Sequence, residues 1–508
     1  SGGNKTVATL TAVEWDNDNV VDLTIEASGG GNAIVLDNDE DRTLKGNLNI
    51  TGNSTATDAA NLTLDLGDLT VTGNANIGEN STLTVANNAG SDVTVSGALS
   101  LADEADITQG HASSFITLDG DSQSHSILGT ITAASMLTVD ATDVTLSGSG
   151  ADLAADQAEL ANLTLAQDAT ATVDAIQAIN GVLTTGAGSQ LTFGLTQDSS
   201  SPADSDNGVV TGLVTLGGSM FTLTSNVEAQ SGIDHNKGTF AFDTYDLMHT
   251  TAGVFDRADD ASATYTSAGG ALVSSVAANY DFNGGTIPYW DIDGVTVTFP
   301  DADADVIVSE NLDIAGAGNI VNGGADVTIE NGMTTVGGTI MTGAGKLILA
   351  GTTVTASGDP TVSNLEVNTS GTATLSGSSL RTFTVTNAFT HTAGELAIGI
   401  HYLWLDDAEY TYTAGTYSMG TGKVIFDDAS DNAFSMIETN GATATIPQVE
   451  LLVDGARASD ADDGYQFTAN SAIMVTEFFR LTGGTFDFDT NDGASLTFGD
   501  ASTIIRDV

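Results

Sequence analysis

The chain has no cysteine. That excludes a disulfide framework, a zinc–thiolate site and a thiol nucleophile. Proline is nearly absent, with 5 in 508 residues, and the 58 glycines follow no collagen period. Basic residues number 11 against 67 acidic ones, a net charge of −56. So few cations leave nothing to neutralise phosphates, and the negative surface repels nucleic acid and anionic headgroups. The same shortage argues against the β-helix enzymes that hold acidic polysaccharides with cationic side chains. No apolar run approaches the ~20 residues of a membrane-spanning helix, so direct membrane insertion is not expected.

What the chain does have is alternation. From Leu62 to Leu101 apolar residues fall on every second position in short bursts: Leu62, Leu64, Leu66; Leu69, Val71; Leu83, Val85; Val93, Val95; Leu99, Leu101. Period two over a short burst predicts a strand with one buried face. The residues between are mostly threonine, whose β-branch suits a pleated surface. Gly, Asn, Asp and Ser separate the bursts and turn the chain with little strain.

The bursts recur. Leu69 to Val93 and Leu83 to Ile107 are equal steps, Val93 to Ile116 is one position shorter, and Ile116 to Leu137 is shorter again. Two or three strands inside a period of about 21–24 residues fit one coil of a parallel β-solenoid, which buries its apolar face only by stacking on its neighbours. A β-sandwich also repeats strands at intervals of about 8–12 residues, but its hairpins favour two-residue turns such as Asn-Gly. The expected fold is therefore all-β, a parallel β-solenoid.

Three sections are expected: an N-terminal solenoid over 1–200, an irregular β-rich section or insertion over 201–305, and a C-terminal solenoid over 306–508. Ser199–Gly208 is a strong loop signal, and Tyr245, Tyr265, Tyr280, Tyr289 and Trp290 follow it with uneven spacing. Ala151–Asn162 fits either a short helix or a weak strand. After residue 306 a motif repeats in which Gly precedes Thr or Glu and then an apolar residue: Gly338-Thr339-Ile340, Gly394-Glu395-Leu396, Gly415-Thr416-Tyr417 and Gly484-Thr485-Phe486. Gly394 to Gly415 is the length of one coil, and Gly415 to Gly484 is the length of three. A glycine at one fixed corner of each coil would serve a tight bend.

This pattern resembles the repeats of large secreted bacterial β-helix proteins, the filamentous-haemagglutinin and autotransporter-passenger group being the nearest comparison. The resemblance implies a right-handed parallel β-helix, exported to the cell surface, acting as a structural fibre or an adhesin.

No catalytic or cofactor residue is singled out. Asp37, Asp39, Asp41 and Asp301, Asp303, Asp305 are D-x-D-x-D strings, the kind that opens a calcium loop. Neither carries the glycine and later glutamate that such a loop needs, so solvated acidic turns are the first expectation and calcium the second. The six histidines form no metal-binding pair, and surface or turn positions are expected for them. Tyr402 and Trp404 suit cross-strand stacking or, more sharply, a sugar-binding strip.

The leading expectation is a secreted, non-enzymatic subunit of a surface filament or layer that requires no cofactor, its expected partner another copy of itself and, beyond that, glycans. The chain opens on Ser1 without Met, as an exported chain would. It begins SGGNKTVATLTAV and ends SLTFGDASTIIRDV, both strand-like, so head-to-tail strand pairing into a homopolymer is expected. A glycan-binding adhesin is the alternative, and a polysaccharide-acting enzyme the third.

Overall fold

The structure is a computed structural model. It describes residues 22–27, 32–37, 41–52, 59–85, 91–102, 104–109, 116–133, 137–142, 144–147, 159–160, 162–176, 178–179, 182–195, 208–251, 255–257, 263–282, 285–299, 305–427, 435–452, 464–482, 485–488 and 493–506. The regular elements among them are all strands, and their pairings are parallel: the fold is a β-solenoid. Two compact units are present, Ser1–Ala271 and Leu272–Val508.

In the first unit a coil has three short strands, one on each of three faces. Leu48–Thr51, Ala60–Leu66 and Leu69–Val71 make one such coil. Leu48, Ile50, Leu62, Leu64, Leu69 and Val71 all point inward and are buried, because alternation puts every second side chain on the same side. Eleven strands from Leu23–Glu26 to Thr264–Ser267 stack into the sheet of the first face.

The intervals read from the sequence are the register of this stack. Leu69 pairs with Val93, Leu83 with Ile107, Val93 with Ile116 and Ile116 with Leu137. Elsewhere the coil length is less even. The step from Leu183 to Val214 is much longer than the next one, from Val214 to Ile233. The strands keep their places and the connections absorb the difference, as loop closure costs little more for a longer loop. In the segment Ala151–Asn162, Glu159–Leu160 form a strand, and 151–158 and 161 lie outside the described residues. So do 199–207 of the loop signal Ser199–Gly208, and 1–21 of the strand-like opening.

The second unit repeats more regularly at first. Leu312, Met333, Val354 and Leu375 pair in succession, at equal steps along the chain. Its core is more aromatic: Tyr280, Phe282, Trp290 and Phe299 pack together, with ring centroids 5.1–6.3 Å apart. The buried Trp290 indole donates to Ser274 Oγ at 2.9 Å, which satisfies its N–H.

The glycine motif does not mark one corner. Glu395 pairs with Thr416, so Gly394 and Gly415 do share a corner, and a Cβ at Gly415 would lie 2.5 Å from Gly394 O. Gly338 begins a different column, which runs through Pro360 and, from Thr361, through Thr384 and Trp404. Gly484 lies outside the described residues. The strand after it, Thr485–Phe488, stacks on Gly464–Phe467 and Ser435–Glu438, a column that leads back to Glu409–Tyr412 and not to Thr416–Met419. The step from Gly415 to Gly484 is therefore not three equal coils. The motif recurs because any corner entering a strand favours a small residue.

Candidate functional site

The polar residues of the turns form ladders that run from coil to coil. Asp41 Oδ1 accepts the N–H of Asp68 at 3.1 Å, and Asp68 Oδ1 accepts that of Asp92 at 2.9 Å. On another corner Asp22 accepts from Asn47, Asn47 from Asn74, and Asn74 from Ala98, at 2.7–2.9 Å. The second unit repeats the device: Asp305 accepts from Asp326, and Asp326 from Lys346. Each acceptor sits just before a strand, where the backbone N–H of the next coil would otherwise lack a ladder partner. Asp121 accepts both the N–H and the hydroxyl of Thr142, and these bonds to its charged form hold its carboxyl below the usual range.

This is where the structure places the candidate calcium residues. Asp41 and Asp305 are exposed members of such ladders. Asp37 pairs through its backbone with Leu66, and Asp39, Asp301 and Asp303 lie outside the described residues. Among the described residues no three His, Asp or Glu side chains gather as a metal site would require. The ladder role has its own test. Asp68→Ala removes the acceptor for Asp92 and is expected to lower stability by about 1 kcal/mol, whereas Asp68→Asn, which keeps an acceptor oxygen, is expected to cost far less. Urea unfolding of both variants measures this; equal losses would mean that the carboxylate's charge, and not its hydrogen bond, matters.

The histidines are not at the surface. His125, His235, His249, His391 and His401 are all buried, and His111 lies outside the described residues. His125 Nδ1 accepts the N–H of Leu99 at 2.9 Å. His391 donates from Nε2 to Gly394 O at 3.2 Å and stands edge-on to Tyr417 and Tyr412, with centroids at 4.8 and 5.6 Å. His401 Nδ1 accepts the N–H of Arg381 at 3.1 Å. Burial pushes His125 and His391 down to about 4, and burial followed by the Arg381 charge lowers His401. These three side chains are neutral core groups at neutral pH, shaped for packing and backbone capping.

Three cations of the second unit pair with buried glutamates. Lys346 pairs with Glu366 at 2.8 Å, and Thr392 donates to the other oxygen of that carboxylate at 2.8 Å. Glu450 is held by Lys423 and by Arg480, the latter at 3.5 Å. Tyr402 and Trp404 lie half-buried on the outward side of their strand, while Leu403 and Leu405 fill the core. Lys423 Nζ stands 5.0 Å over the Tyr402 ring, so that ring face is already taken. In the same stretch Tyr410 and Tyr412 point inward, and Tyr410 Oη bonds Tyr417 Oη at 3.0 Å.

No protein-family model, no curated protein and no solved structure matches this chain.

Proposed function

We propose that the chain is a non-catalytic structural subunit of an extracellular surface filament or layer, which lengthens by head-to-tail strand pairing. The observation that carries this reading is the stack of eleven parallel strands on one face of the first unit. Parallel stacking is additive, since each coil offers the next the same backbone groups and the same apolar face. The corner ladders support it, because they too are satisfied only by another coil above. The buried glutamates and histidines serve packing and pairing, which fits a scaffold. Dense negative charge on the flanks resists lateral clumping while leaving end-to-end growth open. A second reading, a glycan-binding adhesin, draws on the half-exposed Trp404 ring.

Electron microscopy of the concentrated protein, with and without millimolar calcium, separates the two. Filaments with an axial repeat of ~4.8 Å are the expected result. Particles that stay single at every concentration, together with selective binding on a glycan array, would replace the first reading by the second.

A further inference from the structure

The third face of the first unit carries one residue type at one position through eight successive coils. Thr43, Thr70, Thr94, Thr117, Thr138, Thr164, Thr184 and Thr215 are direct register partners, each of the next. All eight are half-buried, each at the centre of a short strand whose flanking residues alternate to the other side. Strand spacing puts successive threonines ~4.8 Å apart, so the row is on the order of 34 Å long. Each contributes one hydroxyl and one methyl on a side chain stiff at χ1 and anchored on a packed core.

β-Propensity alone favours threonine at such positions, but it does not demand it. The other faces line up threonine over shorter runs only. On the first face Thr24, Asn49, Asn76, Ser100 and Ser126 succeed one another, and further along four threonines, Thr145, Thr172, Thr192 and Thr222, are in line with each other. The second face lines up Thr63, Thr84, Thr108 and Thr132. The third face keeps threonine eight times, then ends at Asp234. The row itself holds no charge, in a chain with a net charge of −56. Acids stand beside it, and two of them, Asp41 and Asp68, are turned along the stack onto the next coil's backbone.

A small ligand would use one or two of these groups. A row of identical groups at fixed spacing selects a partner that is itself periodic, rigid and uncharged. Another copy of the chain would bring like charge against like charge. A neutral polysaccharide is usually gripped by aromatic platforms, and this row has none. Ice fits the remaining description: a neutral lattice of hydroxyl donors and acceptors with a repeat close to the strand spacing. Water held by the hydroxyls and confined by the methyls would merge with that lattice, while the packed core keeps the row from rearranging.

We propose that the threonine row of the third face adsorbs to ice. The inference is independent of the assembly reading, because it concerns a flank and not an end. The full chain is tested for uptake into a slowly growing ice hemisphere and for inhibition of ice recrystallisation. It is expected to enter the ice several-fold in excess of an acidic control protein and to slow recrystallisation. The double variant Thr94→Lys/Thr117→Lys puts two charged arms in the middle of the row and is expected to abolish both effects. Ser100→Lys/Ser126→Lys adds the same charge to the first face and is expected to leave them intact. Melting curves of both variants check that the fold is kept. Exclusion of the full chain from ice overturns the proposal, and so does equal loss in the two variants. Retention on crystalline cellulose that only the threonine variant loses, without ice uptake, would assign the row to a polysaccharide instead.

Discussion

Acidification from pH 7 to pH 5 is expected to cost each unit at least about 2 kcal/mol of stability, the share of one strongly shifted buried histidine in each. His125 lies in the first unit and His391 in the second. Burial lowers each from 6.5 to about 4 in the folded chain. Between those values the unfolded chain binds a proton that the folded chain refuses, so stability falls as the pH falls. The loss begins near pH 6.5 and levels off near pH 4, at about 3 kcal/mol for each histidine, given about 1.36 kcal/mol per unit of pKa. Above pH 7 the contribution is complete and flat. Around His391 the nearest titratable groups are Tyr412 and Tyr417, both neutral here because burial raises them. Carboxylate protonation eases the repulsion among 67 acids, but it sets in mainly below about pH 5. Urea unfolding at pH 7, 6 and 5 reads the slope. His391→Phe, which keeps an aromatic ring of similar breadth, should reduce the dependence of the second unit only, leaving the part owed to His401. A second unit whose stability does not change between pH 7 and 5 would mean that water reaches the His391 ring.

These histidines also mark the limit of what alternation reveals. Each of four stands two positions from a buried apolar neighbour: His125 from Ile127, His235 from Ile233, His249 from Leu247 and His391 from Phe389. The period-two signal that locates the strands therefore places these rings inside as well, and surface positions are the wrong expectation. The coil spacing is legible because it depends only on where apolar bursts recur. Leu69, Val93, Ile116 and Leu137 read as equivalent positions and are direct partners. The aspartate ladders are not legible. Asp41 and Asp68 read as turn residues, and so they are, but their bond partners lie a full coil away and are fixed by the register of the stack. The threonine row stands in the sequence as a strand filler; only the register shows eight of them in line. The glycine motif after residue 306 fails as a corner marker because Gly338, Gly394 and the strand after Gly484 belong to different columns, and a local motif carries no information on column.

One glycine is expected to be indispensable for reasons the motif does not convey. Gly343→Ala should destabilise the second unit by about 3–5 kcal/mol, the combined scale of backbone strain and of a displaced buried amide. Gly343 has φ +116, where a side chain is strained, and a Cβ there would lie 1.9 Å from Asn322 O and 2.5 Å from Asn322 Oδ1. Asn322 cannot simply move away. It is buried, its Nδ2 donates to Ala325 O at 2.7 Å and its Oδ1 accepts the N–H of Gly345 at 3.1 Å. From the coil above, the buried Asn364 donates to Gly343 O at 3.0 Å. An added methyl thus presses on the backbone of the coil below and loosens amide bonds on both sides. Gly338→Ala is the matched control: φ there is +85, but no atom stands within 4 Å of its Cβ. It carries the strain without the clash and should cost about 1–3 kcal/mol. The difference between the two variants in urea midpoint, multiplied by a common slope, isolates the close approach of successive coils. Equal losses would show that this corner can open at no cost, and that backbone strain alone explains the glycine.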